Sequence, residues 1–307
     1  MEEKVVIGHK NPDTDAICAA LAFSEFKGEG YKPFRSGELN KETEFVLNRW
    51  DVDPPEKISE VEDEELVLVD HNHKGQAVNG FNEENVVEIV DHHNLDGLTT
   101  PGPIEVMMKP WGSTSTIIAS EFFFNSDKEL GKKTAGILLS SILSDTVIFK
   151  SVTCTEKDKE VAEKLAEIAE VDDLVSYGKE MFKAKSEISD KSARDLILGD
   201  YKEFNFNGND VGIGQVETVN INEVKNRSDE LIDAMKDVIK EKEFELLVLL
   251  LTDILEEDTH ALVVGTDSNL IKFEEIFDVT VENNRAFLED VMSRKRQIVP
   301  HLKKNFN

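Results

Sequence analysis

The chain opens with a short apolar run, a turn and then a helical pattern. The residues from Val5 to Ile7 are β-branched and predict a buried strand, which Asn11-Pro12 prevents from continuing regularly. Apolar residues then recur at helical spacing, at Ile17, Ala20, Leu21 and Phe23. We therefore predict a strand, a turn and a helix, with His9, Asp13 and Asp15 gathered in the turn.

Two further apolar runs end in acidic residues and histidines. The run Leu66 to Val69 is uninterrupted, as in a strand buried on both faces, and Asp70-His71-Asn72 follows it. The run Val86 to Val90 precedes Asp91-His92-His93, where Asp91 is a candidate for orienting the ring of a neighbouring histidine. Ligands of open α/β sheets bind beyond the carboxyl ends of the strands. Three such turns together favour a divalent-metal site.

Individual members of this set also have purely structural interpretations. Asp13 and Asp15 could cap the turn and the helix, with His9 as a hydrogen-bonded residue at the end of the strand. We interpret His71 and His73 as exposed turn residues rather than as ligands. The metal hypothesis rests on the whole set, because core packing alone does not explain three strands that each end in Asp or His.

More elements are predicted further along. Strands are expected at 31–35 and 104–108, and helices at 42–50, 112–124, 133–143, 156–170 and 172–185. The helix start from Gly112 to Thr116 could hold a phosphate on its backbone N–H groups or be an ordinary N-cap, and both hypotheses stay open. Asp145 follows the apolar helix 133–143 and is a candidate fourth acidic ligand.

The stretch 184–194 is small, polar and charged, which is typical of a domain boundary. A chain of 307 residues fits two domains, each with its own core. We predict a first domain at 1–187, a linker at 188–194 and a second domain at 195–307. The second domain is expected to be α/β, with strands at 210–219, 244–251 and 261–265 and one helix at 221–241.

Composition narrows the possible partners. A formal charge of −28 argues against nucleic acid or an anionic membrane as the main partner. No apolar run approaches the ~18 residues of a membrane span, and no signal-peptide pattern is present, so we expect a cytoplasmic protein. In this acidic chain, the SRKRQ segment (293–297) is either a solubilising surface or a clamp for an oxyanion supplied by the second domain.

Taken together, the ordered motifs resemble the family II inorganic pyrophosphatases of the DHH phosphoesterase superfamily. The motifs are GHKNPDTDAIC (8–18), LVDHN (68–72), DHH (91–93), SDT (144–146) and SRKRQ (293–297). The resemblance implies an N-terminal parallel-sheet DHH domain, a smaller C-terminal α/β domain with a mixed sheet, and an active site in the cleft between them. It also implies pyrophosphate hydrolysis by two metal ions, with a hydroxide that bridges the metals as the nucleophile.

Residue roles carried over from this family are specific. The metal ligands would be His9, Asp13, Asp15, Asp70, His92 and Asp145. Asp70 would bridge the ions and His93 would donate a proton. The phosphates would be held by Lys202, Arg294 and Lys295. The role of Arg296 stays open.

The same resemblance implies Mn²⁺ or Co²⁺ at two tight sites, additional Mg²⁺ bound with the substrate, and a homodimer. Ligation by both His and carboxylate groups also suits Mn²⁺ better than an all-oxygen cage would. The alternative is another DHH phosphoesterase, such as an exopolyphosphatase. Nucleotide-directed relatives are disfavoured because the C-terminal region lacks their glycine-rich motif.

Overall fold

The computed structural model describes residues 3–95, 97–185, 188–206 and 208–305. The chain divides into two compact units, Met1–Lys185 and Ser186–Asn307. Within the predicted linker 188–194, Ile188 and Ala193 are buried in the core of the second unit, and a helix starts at Ala193. None of the helices in these described ranges is long and apolar enough to span a membrane.

The first unit is built on a six-stranded sheet in which all paired strands are parallel. Its strands are β1 (Lys4–Ile7), β2 (Tyr31–Arg35), β3 (Glu56–Lys57), β4 (Leu66–Val69), β5 (Val86–Asp91) and β6 (Glu105–Met108). Its helices are α1 (Thr14–Lys27), α2 (Lys41–Trp50), α3 (Thr114–Phe124), α4 (Lys132–Asp145), α5 (Glu156–Ala169) and α6 (Leu174–Lys185). The fold class predicted from the strand pattern is therefore confirmed for this unit.

Strand order fixes where a ligand site can form. The order is β3-β2-β1-β4-β5-β6, so the direction of winding reverses between β1 and β4. Val5 to Ile7 of β1 pair with Leu66 to Leu68 of β4, and all four residues of β4 are buried. The turns after these two strands therefore diverge at the reversal point, where open α/β sheets bind ligands beyond their carboxyl ends.

The second unit contains a five-stranded mixed sheet with the order β11-β10-β9-β8-β7. Its strands are β7 (Tyr201–Phe206), β8 (Asn209–Thr218), β9 (Leu246–Asp253), β10 (Asp258–Gly265) and β11 (Arg285–Leu288). Strands β8 and β9 are parallel, and the other neighbouring pairs are antiparallel. Its helices are α7 (Ala193–Gly199), α8 (Ile221–Lys225), α9 (Ser228–Lys242), α10 (Asp267–Phe277) and α11 (Val299–Asn305), with a π-helix at Arg294–Ile298.

Strand β9 divides the apolar interior of this unit between its two faces. Leu247, Leu249 and Leu251 face a cluster that includes α9 residues, whereas the alternate residues, such as Val248, face a cluster that includes Phe273 of α10. Every residue of β9 is buried, which explains why its sequence is continuously apolar rather than alternating.

The predicted single helix at 221–241 is wrong, because the structure has two helices. Helix α8 ends at Lys225, and Asn226 N–H donates to the carbonyl oxygen of Asn222. Arg227 then stands as the N-terminal cap residue of α9, with φ −99° and ψ 8°, outside helical geometry. The apolar spacing continues across this break, so periodicity alone could not locate it.

Candidate metal centre

A close approach of strand and helix shapes the first turn. A Cβ atom at Gly8 would lie 2.6 Å from the Cβ of Ala16, so a larger residue would push β1 away from α1. The Asp13 carboxylate caps α1 by accepting from Ala16 N–H at 3.0 Å. Its other oxygen lies 3.5 Å from His9 Nε2. The capping interpretation and the ligand hypothesis for Asp13 are therefore compatible.

Asp70 occupies the middle of the centre. It follows β4 in the left-handed conformation, with φ 59°, and only 2% of the residue is exposed. Its Oδ2 lies 3.5 Å from His9 Nε2, and its Oδ1 lies 3.4 Å from His92 Nε2. The two carboxylate oxygens thus face two different imidazoles, one on each side.

The two histidines after β5 are oriented differently. His92 Nδ1 lies 3.0 Å from the carbonyl oxygen of Trp111, which leaves Nε2 directed towards Asp70. His93 Nδ1 lies 2.9 Å from Asp91 Oδ1, and Asn72 donates to the other oxygen of Asp91 at 2.6 Å. Asp91 therefore holds the ring of His93, as expected from the sequence, and His92 and His93 have separate roles.

Asp15 is enclosed by hydrogen-bond donors from the start of α3 and from α4. Its oxygens accept from the backbone N–H groups of Thr114, at 2.7 Å, and Ser115, at 3.1 Å. The hydroxyls of Ser113, Ser115 and Ser141 also donate to it. The phosphate hypothesis for this helix start is wrong, because the buried carboxylate of Asp15 accepts the hydrogen bonds of these N–H groups. The N-terminus of a helix favours a negative charge, and here Asp15 supplies it.

The remaining acidic residue lies at the end of α4. The buried Oδ2 of Asp145 has no hydrogen-bond partner among the described residues. Three groups of side chains have ligand atoms within 4.8 Å of one another: His9, Asp13 and Asp70; Asp15, His92 and Asp145; and Asp70, His92 and His93. All six ligands expected from the sequence therefore lie in one centre. Four of them, Asp13, Asp70, His92 and Asp145, line a cavity of about 670 Å³.

Charge is concentrated strongly in this centre. Burial and the nearby charge of Asp15 raise the pKa of Asp70 to about 6 and raise the pKa of Asp145 well above its usual range. Burial would lower the pKa of His9, but its contacts with Asp13 and Asp70 raise it to about 10. Carboxylates this close repel one another, and a cation placed among them would relieve that repulsion.

The donor set fits a pair of divalent metal ions. Separations of 3.4–3.5 Å between His nitrogens and Asp oxygens are longer than a good hydrogen bond but suit two ligands of one ion. The unpartnered oxygen of Asp145 is a buried acceptor in need of a positive partner. Mixed imidazole and carboxylate ligation favours a transition metal such as Mn²⁺ over Mg²⁺.

Two of the sequence interpretations near the centre have different outcomes. His73 is exposed, as expected, but His71 is only 1% exposed, so its interpretation as an exposed residue is wrong. The His71 ring packs edge-on against His9, with ring centroids 6.4 Å apart. The turn after β4 is therefore covered by the turn after β1. This contact between two turns could not be predicted from the polar residues that follow β4 alone.

Sequence reasoning also missed residues that support the centre. Ser113, Ser115 and Ser141 enclose Asp15, and the buried carboxylate of Glu42 accepts from Thr14 at 2.7 Å and from Ser144. The hydroxyl-rich start of α3 was the available signal for Ser113 and Ser115, whereas Ser141 lies within the apolar helix α4 and gave none. The role of Glu42 could not be predicted, because an acidic residue in the first turn of a helix such as α2 is common.

The three cationic residues expected to bind phosphate all belong to the second unit. Lys202 on β7 and Lys295 in the π-helix are exposed, and neither forms an ion pair with the described residues. Arg294 differs, because its side chain is only 10% exposed. It donates to the carboxylate and to the carbonyl oxygen of Asp200, each at 2.6 Å, and to the carbonyl oxygen of Ile213 at 3.3 Å.

Comparison with known proteins identifies the family. The family model for the DHH family, N-terminal domain, matches residues 3–142, and the DHHA2 domain model matches residues 179–305. The manganese-dependent inorganic pyrophosphatase of Methanocaldococcus jannaschii is 44% identical over 99% of both chains, and that of Bacillus subtilis is 40% identical over 98% of both. A crystal structure described as a family II inorganic pyrophosphatase from Methanococcus jannaschii superposes with a TM-score of 0.61, at 43% identity over 99% of both chains.

The fold and the acidic, histidine-rich centre thus define a two-domain hydrolase of the DHH superfamily. Within that superfamily, the chain belongs to the manganese-dependent, family II inorganic pyrophosphatases.

Proposed function

We propose that the protein hydrolyses inorganic pyrophosphate to two orthophosphates by a two-metal mechanism. The observation that carries this proposal is the position of Asp70, whose two oxygens face His9 on one side and His92 on the other. Asp70 belongs to two of the three groups of clustered ligand atoms, one with His9 and Asp13 and the other with His92 and His93. The names of the relatives, which specify pyrophosphate and manganese, support the same conclusion.

The proposed ligand sets follow from these distances. One ion, Mn²⁺ or Co²⁺, would be held by His9, Asp13 and Asp70. A second would be held by Asp15, His92 and Asp145 together with Asp70, whose Oδ1 lies 3.4 Å from His92 Nε2. When bound, the two ions would supply a bridging hydroxide as nucleophile at neutral pH and neutralise the departing phosphate. The donors around Asp15 keep it ionised, because together with the charge of His92 they outweigh burial and lower its pKa to about 2.

We propose that His93 gives a proton to the leaving phosphate. Its Nδ1–H is donated to Asp91, so Nε2 is the nitrogen that remains for a substrate. The hydrogen bond to Asp91 raises the pKa of His93, which keeps the ring protonated closer to neutral pH. The side chain is 53% exposed and lines the cavity, so a ligand can reach it.

The phosphate groups would be bound by Lys202, Arg294 and Lys295, with additional Mg²⁺ entering with the substrate. Lysine and arginine offer charge-assisted hydrogen bonds to phosphate oxygens. Asp200 fixes the guanidinium of Arg294 but does not use all five of its N–H groups, so some donors remain for a ligand.

We also propose that the protein forms a homodimer. Strand β6 lies at the edge of the six-stranded sheet, and Val106 on it is 46% exposed. An exposed apolar edge strand is a template for pairing with another chain. Light scattering of the wild-type protein and of Val106→Lys tests this. A wild-type monomer at micromolar concentration would contradict the proposal.

Phosphate release from pyrophosphate, tripolyphosphate and a dinucleotide tests the proposed activity. Each substrate is assayed with Mn²⁺ and Mg²⁺ present, and again after chelation. We expect pyrophosphate to be the preferred substrate and chelation to abolish its hydrolysis. Faster release from tripolyphosphate would instead favour an exopolyphosphatase, and no release from pyrophosphate under any condition would contradict the proposal.

A further inference from the structure

The residue after the shared carboxylate makes an unusual local contact. His71 Nδ1 lies 2.9 Å from the carbonyl oxygen of Val69, two residues back along the chain. Since a carbonyl oxygen only accepts, the ring must donate an N–H from Nδ1. This bond spans Asp70 and closes a small ring around it. Nothing in the proposed chemistry uses His71 directly, because none of the groups of clustered ligand atoms includes it.

Asp70 itself needs such support. Its φ of 59° lies in the left-handed region, which is less favourable than the extended or right-handed regions for a residue with a side chain. Asp70 N–H still pairs with the carbonyl oxygen of Val90 at 3.0 Å, so the main chain leaves the sheet only after this residue. A continued extended conformation would turn the carboxylate in a different direction. The left-handed conformation is therefore what allows its two oxygens to face His9 and His92.

We propose that His71 is a positioning residue that holds Asp70 in the left-handed conformation and so aligns the carboxylate shared by the two ligand groups. The inference rests on the proposed metal centre. The ring is buried against His9 and is locked by packing as well as by its hydrogen bond. The other ring nitrogen, Nε2, has no partner among the described residues, so the Nδ1–H donor is the polar function to test.

Three substitutions separate the donor from the ring. His71→Asn places an amide N–H close to the position of Nδ1, whereas His71→Leu has the same branching without a donor. His71→Gln retains an amide but moves it towards the position of Nε2. Outer hydrogen-bond partners of metal ligands are typically worth about 10–100-fold in metal affinity. We expect His71→Leu and His71→Gln to bind Mn²⁺ about 10–100-fold more weakly than the wild type, and His71→Asn to stay within about threefold.

Calorimetric titration of the metal-depleted proteins with Mn²⁺ measures these affinities, and electron paramagnetic resonance of the loaded proteins reports whether the two ions remain coupled. If His71 had a purely structural role, the variants would unfold at lower temperatures, but His71→Asn would have the same Mn²⁺ affinity as His71→Leu and His71→Gln. That result would overturn the inference. Mn²⁺ affinities of His71→Leu and His71→Gln equal to that of the wild type would also overturn it. Because His71→Leu and His71→Gln both lack a donor at the position of Nδ1, the test stays decisive if one of them fails to fold. A wild-type protein that binds fewer than two Mn²⁺ per chain would instead contradict the proposed function.

Discussion

The metal centre and the cationic segment are built in opposite ways. In the centre, Asp15 is enclosed by five hydrogen-bond donors and Asp70 is nearly inaccessible to solvent. In the second unit, Lys202 and Lys295 are exposed and unpaired among the described residues, and Arg294 alone is held in place. The proposed metal ligands are therefore held in place before a metal ion binds. The proposed phosphate-binding lysines are not, and they lose side-chain conformational entropy only when the substrate binds.

This contrast predicts that substitutions in the metal centre change the metal content, whereas substitutions in the cationic segment change the affinity for substrate.

The largest effect is expected from Asp70→Asn, which should weaken the binding of both ions. Activity should fall on the order of 10⁴-fold or more, which is a larger loss than removal of a single acid–base group causes. Asp13→Asn is the matched control, because it makes the same change at an unshared ligand. We expect it to weaken mainly one ion. Metal analysis after gel filtration distinguishes the two, and Asp70→Asn protein that retained two Mn²⁺ would contradict the shared carboxylate.

The neighbouring histidines should separate catalysis from metal binding. His93→Gln is expected to lower turnover about 10²–10⁴-fold with little change in metal content, because it removes proton donation alone. His92→Gln should lose metal, since His92 Nε2 faces Asp70. Steady-state kinetics together with metal analysis check both variants. If His93→Gln lost metal while His92→Gln retained it, the two roles would be exchanged.

A smaller effect is expected in the cationic segment. Lys295→Ala should raise the KM for pyrophosphate about 10–100-fold without changing the content of Mn²⁺. The increase corresponds to the loss of one hydrogen bond to a charged group, which contributes about 1.5–3 kcal/mol. Arg296→Ala is a neighbouring control at a position whose role is open. Kinetics at saturating Mn²⁺ measure the change. An unaltered KM in Lys295→Ala would remove this residue from the proposed phosphate site.

The smallest effect concerns pH. In the metal-free protein, contacts with neighbouring carboxylates outweigh burial and raise the pKa of His9 to about 10 and of His92 to about 9. Both rings are therefore protonated at pH 7 and must lose a proton to bind a metal. Affinity for the Mn²⁺ held by His9 should fall about tenfold for each unit that the pH is lowered from 8 to 6. Affinity for the Mn²⁺ held by His92 should fall at least as steeply, because the raised pKa of Asp145 adds a second proton to be lost. Calorimetry in buffers of different ionisation enthalpy would detect the released protons, and equal affinity at pH 6 and pH 8 would refute this linkage.

Sequence patterns predicted the first unit better than the second for a physical reason. Buried parallel strands such as β4 are continuously apolar, and their polar ends mark the edge of the sheet. Strand β7 and helix α7 were not predicted, because β7 is an edge strand with mostly exposed positions and α7 has only seven residues. Short elements with one exposed face carry little periodic signal.

The candidate site was predictable as a set of residues but not as a geometry. The order of the motifs identified His9, Asp70 and His92, which the structure brings together. The left-handed conformation of Asp70 could not be predicted, because aspartate adopts that region at only a minority of its positions and the apolar strand before it does not specify which. The burial of His71 likewise depends on a contact with His9, in a turn that lies far from it in the sequence.

Anomalous X-ray scattering at the manganese edge, from crystals of the protein grown with Mn²⁺, tests the central claim most directly. We expect two anomalous peaks per chain on either side of the Asp70 carboxylate, one next to His9 and the other next to His92. A single peak, or two peaks of which one does not contact Asp70, would contradict the shared carboxylate on which the proposed function rests.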